Sequence, residues 1–236
     1  MAAAVTGPWL RVEQVEHAGA RFTPAAALDE MLAAYYGAAL LAVDSRGLAE
    51  RIAGLPAVER VEVSSRLPNA LAVTVHEKAP DFTWQTRAAV LVGAADGTII
   101  AELPRDAEPT PELAALPAVH DDRRASRRIT VGDALNAEEL GMARRLMSLD
   151  ATLLGSAAKT LGVRLDDEHG FVLVCPDGGW EAALGVYGLD PRAEAGEAQR
   201  LLERQVAAIR TLFSVHPEAS VSWLDARNPG KVYWAP

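Results

Sequence analysis

Four stretches carry residue types able to do chemistry. Ser156-Ala157-Ala158-Lys159 has the S-x-x-K spacing of penicillin-recognising serine enzymes, where the serine is the nucleophile. Those enzymes also carry S-D-N and K-T-G, and neither is present. His120-Asp121-Asp122 and Asp166-Asp167-Glu168-His169 hold metal-ligand residue types. Both fall between expected elements, with no second cluster at ligand spacing, so both read as solvated turns. Cys175 and His169 invite a thiol–imidazole reading, but Cys175 follows Phe171-Val172-Leu173-Val174 on what reads as a buried strand, with no group in sight to orient the imidazole. No glycine-rich phosphate loop occurs. The expectation is a protein that is not an enzyme, with no catalytic residue, no metal and no cofactor.

Composition narrows the partners. The 236 residues are 50% hydrophobic and 23% charged, a globular balance, with net charge −9. An acidic surface repels phosphate backbones and anionic lipids, so neither nucleic acid nor a charged membrane surface is an expected partner. The densest basic run, Arg123, Arg124, Arg127 and Arg128, follows two aspartates and reads as a solvated loop. A lone cysteine excludes an internal disulfide. No run of about 20 apolar residues is present. Met1 to Val5 reads as an expression start or the stub of a removed anchor.

Periodicity supplies the scaffold. Trp9 to His17 alternates as a strand. Thr23-Pro24 opens a helix with Thr as N-cap, carrying Leu28, Met31, Leu32 and Tyr35 on one face and closing at Gly37. Asp44 or Ser45 caps a second helix with Leu48, Ile52 and Leu55. Val58, Val61 and Val63, then Leu71, Val73 and Val75, mark two strands around an Arg66-Leu67-Pro68-Asn69 turn. Beyond Pro80 come strands near 82–84, 89–92 and 98–101, a long connection over 104–128, and an extended stretch at 129–132. Asn136 and Glu139 form a capping box before a helix with Leu140, Ala143 and Met147 inward. Three strands follow near 161–165, 171–175 and 180–184. A long helix from about Glu194 to Phe213 and a hairpin around Asn228-Pro229-Gly230 complete the chain.

Several runs together resemble a bacterial cell-division family. Tyr35-Tyr36-Gly37, Leu40 to Asp44, Leu55-Pro56-Ala57-Val58 and, above all, Arg66 to Pro80 are similar to the POTRA domain of FtsQ/DivIB proteins, with Glu77-Lys78-Ala79-Pro80 in the place of the family's E-K-x-P. Asp96-Gly97, Leu116-Pro117, Val131-Gly132-Asp133, Ser222 to Arg227 and Val232-Tyr233-Trp234 resemble its second domain, with Ala226 where the family usually has Leu. The resemblance implies an α+β chain: a stub at 1–8, a β-α-α-β-β POTRA domain at 9–79, and an antiparallel-sheet α+β domain of FtsQ-type β kind at 80–236. It implies a non-catalytic scaffold on the extracytoplasmic face of the cytoplasmic membrane at the division septum, its anchor outside this chain. FtsB- and FtsL-type proteins are the implied partners of the second domain, other divisome proteins of the POTRA domain, with no nucleic acid or small-molecule substrate. A different POTRA module, for protein assembly or secretion, is the alternative; such proteins carry several POTRA units and a long barrel.

The terminal hairpin supplies a physical reason for binding. A last strand at a sheet edge offers unpaired N–H and C=O groups to an added strand. Arg200, Trp223, Asp225, Arg227, Val232, Tyr233 and Trp234 are the expected partner-binding residues. Tyr233 and Trp234 should face opposite sides. Core packing of the tryptophans and an internal Asp225–Arg227 pair are the competing readings.

Overall fold

A computed structural model describes residues 10–106, 108–186, 196–228 and 230–236. The expected stub, Trp9, the expected helix start at Glu194, and Pro229 lie outside the described residues.

The N-terminal unit has the expected order: β1 (Gln14–Ala18), α1 (Ala25–Ala33), α2 (Ser45–Ala53), β2 (Val58–Arg66) and β3 (Ala70–Glu77). The strands run β1-β3-β2, with β1 parallel and β2 antiparallel to β3. Leu28 and Leu32 of α1 and Leu48 and Ile52 of α2 bury the helical stripes against Val58, Leu71, Val73 and Val75. Asp44 caps α2 by accepting from Gly47 N at 2.9 Å. Thr23 does not cap α1. The carboxylate of Glu77, at the end of β3, takes the N–H groups of Arg21 (2.9 Å), Phe22 (3.0 Å) and Thr23 (2.7 Å). Glu77 thus anchors the segment leading into α1, whose N-cap position is Pro24 with no side-chain cap, and Gly37 lies beyond the helix end at positive φ.

Only Lys78 and Ala79 separate β3 from β4 (Pro80–Thr86). Phe22 and Ala57 of the first unit pack with Val92, Ile100 and Leu113 of the second. The Arg21–Glu112 pair at 2.6 Å and the Lys78–Asp96 pair at 2.8 Å bridge the same joint. The hydrogen bond from Lys78 holds the Asp96 carboxyl down at about 2. A depressed carboxyl stabilises the fold above its unfolded pKa near 4, and that contribution fades as pH falls from about 4 to about 2. Carboxyl NMR titration should place the Asp96 midpoint near 2, and Lys78→Met should move it back toward 3.8. An unmoved midpoint would show that Lys78 does not hold this carboxylate.

The second unit is one nine-stranded sheet, ordered β12-β11-β10-β9-β8-β7-β4-β5-β6. Its remaining strands are β5 (Ala89–Ala94), β6 (Ile99–Pro104), β7 (Ala118–Asp121), β8 (Gly162–Asp166), β9 (Gly170–Cys175), β10 (Trp180–Gly185), β11 (Trp223–Asp225) and β12 (Tyr233–Ala235). The helices are α3 (Pro111–Ala114), α4 (Ala137–Met147) and α5 (Glu197–Val215). The α+β architecture is as expected, but the sheet is mixed, not antiparallel throughout. β7 pairs in parallel with both β4 and β8, and β10 pairs in parallel with β11. Parallel neighbours need crossovers: α3 lies between β4 and β7 in sequence, α4 between β7 and β8, α5 between β10 and β11. The 104–128 connection therefore contains α3 and β7, while 129–132 forms no strand among the described residues. Leu140, Ala143, Leu146, Leu202 and Ile209 from α4 and α5 bury one sheet face with Trp84, Val163, Phe171, Leu173, Trp180 and Leu224. Met147 packs only partly buried at the margin of that core.

β7 ends on Asp121, which is wholly buried rather than in a solvated turn. It accepts from Trp84 Nε1 at 2.9 Å and from Arg123 Nη2 at 2.8 Å, and Arg123 also grips Glu139 at 2.8 Å. Glu139 therefore does not close a capping box; Asn136 alone caps α4, accepting from Glu138 and Glu139 N–H. Burial disfavours the Arg123 charge, but the hydrogen bonds to Asp121 and Glu139 hold its pKa above the ordinary value.

Candidate functional site

The C-terminal edge is built by α5. Gln205 is a polar residue on the buried stripe of this helix, 1% exposed. Its Nε2 donates to the carbonyls of Leu184 at 2.7 Å and Ala226 at 2.9 Å, tying α5 to the ends of the parallel strands β10 and β11. The chain then doubles back, and β12 pairs antiparallel with β11: Trp223 opposite Ala235, Leu224 opposite Trp234, Asp225 opposite Tyr233. Among the described residues β12 pairs with no strand on its other side, which makes it the edge of the described sheet. Every second residue of such a strand turns its N–H and C=O away from the sheet.

Register decides the faces. Tyr233 shares the face of Trp223 and Asp225, whereas Trp234 shares that of buried Leu224, under α5. There its ring meets His216, just past the helix end, at 4.6 Å between centroids. Val215 beside it is 71% exposed, Tyr233 58% and Trp234 39%. The strand thus shows a large apolar group on each face at the rim of the sheet.

The expected residues do not all join this rim. Trp223 is half-buried, edge-on to His169 at 4.8 Å. Val232 is partly buried and packs against the core just before β12. Arg227 forks onto Asp225 at 2.9 and 2.6 Å and reaches the Glu168 carbonyl at 3.1 Å. Its guanidinium is engaged within the chain, and its hydrogen bonds hold the Asp225 carboxyl below the usual range. Arg200 lies exposed near the start of α5, 16 residues before His216, about 24 Å along the helix. The structure does not bring it to the Trp234 face. His216 and Val215 were not legible as site residues. Gln205 left one sign, a polar side chain three residues after Leu202 and four before Ile209 on the apolar stripe.

The serine motif is engaged otherwise. Ser156 Oγ donates to the Glu218 carboxylate in a short hydrogen bond, and Trp180 Nε1 donates to the same carboxylate at 2.6 Å. Burial pushes the Glu218 carboxyl up, but the hydrogen bonds from Ser156, Trp180 and Ala157 N–H together hold it below its ordinary value. Lys159 is exposed, and its ammonium makes no hydrogen bond or ion pair among the described residues. Cys175 is buried as expected, and burial raises its thiol pKa. No group of three or more metal-ligating side chains converges among the described residues. No described helix is long and apolar enough to cross a membrane.

Residues 10–78 match the family model of the POTRA domain, FtsQ-type. The match covers 69 of the 236 residues and identifies an FtsQ-type POTRA domain in the N-terminal unit. No curated protein matches the chain significantly.

Proposed function

The N-terminal domain belongs to the FtsQ-type POTRA family, and from that membership we propose that the chain is a non-catalytic divisome scaffold. In this reading residues 80–236 form the FtsQ-type β domain, and its edge strand β12 binds an extracytoplasmic segment of an FtsB- or FtsL-type protein. The POTRA domain contacts other division proteins. Together they recruit and regulate septal peptidoglycan synthesis from the outer face of the cytoplasmic membrane. The observation that carries the reading is the outer edge of β12, left unpaired among the described residues, with Tyr233 on one face and Trp234 on the other. Strand addition there extends a nine-stranded sheet by one, with main-chain hydrogen bonds giving affinity and the two aromatic faces giving selectivity.

Calorimetric titration with the extracytoplasmic segment of the FtsB-type protein of the same genome tests it. The full chain should bind, and a chain ending at Val232 should not, while circular dichroism shows both folded. Retaining Val232 keeps the core contact intact. Equal binding by both chains would take the site away from β12.

A further inference from the structure

The arginines of residues 123–128 are of two kinds. Arg123 is clamped between Asp121 and Glu139. Arg124, Arg127 and Arg128 are exposed, and their guanidinium groups make no hydrogen bond or ion pair among the described residues. They sit on a 3-10 turn, Arg124–Arg128. At three residues per turn, positions three apart eclipse. Arg123, Ser126 and Ile129 form the inner row: Ser126 is 1% exposed and donates to the carbonyls of Asp121 and Arg123, and Ile129 packs against the core. Arg124 and Arg127 are then eclipsed on the outer row, with Arg128 beside them. Arg124 N–H is also tied to Asp167 at 3.0 Å. The turn is thus held at four points.

An anchored turn with arginines at eclipsed positions sets two like charges in one row, at a cost that an oxyanion relieves. A planar guanidinium fits a carboxylate with two parallel hydrogen bonds. The patch is narrow, because Asp122, Asp167 and Glu168 lie next to it in the chain or in the adjoining turn, and the whole protein carries −9. A broad polyanion, whether nucleic acid or an anionic bilayer, meets those acids as well as the arginines. A short segment meets the arginines alone. We infer that the turn at Arg124, Arg127 and Arg128 is a docking point for a short acidic segment of a partner protein, separate from the β12 edge.

The test uses the full chain and a fluorescein-labelled decamer of alternating glutamate and serine, read by anisotropy. Binding should weaken several-fold between about 50 and about 200 mM salt, as screening of exposed charges requires. Reversing Arg124, Arg127 and Arg128 to glutamate should cost about tenfold or more, the combined effect of three exposed ion pairs. Reversing the exposed arginines Arg46, Arg60 and Arg204 instead should cost less than about twofold. The triple glutamine variant at 124, 127 and 128 should also weaken binding, which covers misfolding of the reversed form. No binding by the parent chain, or equal loss in the control reversal, overturns the proposal. So does tighter, arginine-dependent capture by phosphatidylglycerol vesicles or by a DNA oligonucleotide.

Discussion

Asp121→Ala should lower the unfolding free energy by about 3 kcal/mol or more, because removing one partner of a buried pair strands the other. Asp121 is 0% exposed and Arg123 is 20% exposed, so water compensates little. Trp84 Nε1, also in the core, loses its acceptor with the same change. For a unit of this size the melting temperature should fall by roughly 6 to 12 °C. Asp121→Asn keeps one acceptor for Trp84 and should fall less. Arg124→Ala, three residues away but exposed, should stay within about 0.5 kcal/mol. Calorimetric melting of the three variants separates the cases. If Asp121→Ala melts within about 2 °C of the parent, the ion pair does not hold β7 in the sheet.

Trp234→Ala should weaken capture of the FtsB-type segment by about 2 kcal/mol, roughly 30-fold, if β12 is the docking edge. Trp is a frequent anchor at interfaces, and here its ring is steadied from behind by His216 while part of it remains open. Folding should be little changed, since the residue lies at the rim and Leu224 opposite it stays buried. Arg200→Ala should leave binding within about twofold, because the structure holds it far from Trp234. Titration calorimetry of both variants against the same segment reads the difference. Equal affinity for Trp234→Ala and the parent would remove this face of the strand from the site.

The POTRA half was legible because its signals are local. Asp44 caps its helix by bonding three residues on, and Val58 to Glu77 alternates along two strands joined by a short turn. Contacts between partners distant in sequence were not legible. Thr23 reads as a helix cap, yet its own N–H is held by Glu77, 54 residues later, and the N-cap position is Pro24, with no side-chain cap. Glu139 looked like half of a capping box, yet its carboxylate is taken by Arg123, 16 residues earlier. β7 was missed because it is short: Ala118 to Asp121 carries one aliphatic side chain deep in the core, Val119, and ends on charge.

The amino-acid order by itself determined the helices with clear stripes, the β-α-α-β-β unit, the two-unit architecture and the terminal hairpin, because these follow from periodicity and turn chemistry within one element or between neighbours. Only the tertiary structure decided that the large sheet is mixed, that Asp121 and Arg123 are a buried pair while Arg124, Arg127 and Arg128 stay open, and that Arg227 is engaged within the chain. It also decided that Trp234 faces α5 and Tyr233 the other side. The reason is physical. A charged side chain's role depends on which groups stand within hydrogen-bond reach and how much water remains, and both are set by strands that meet from far apart in the chain.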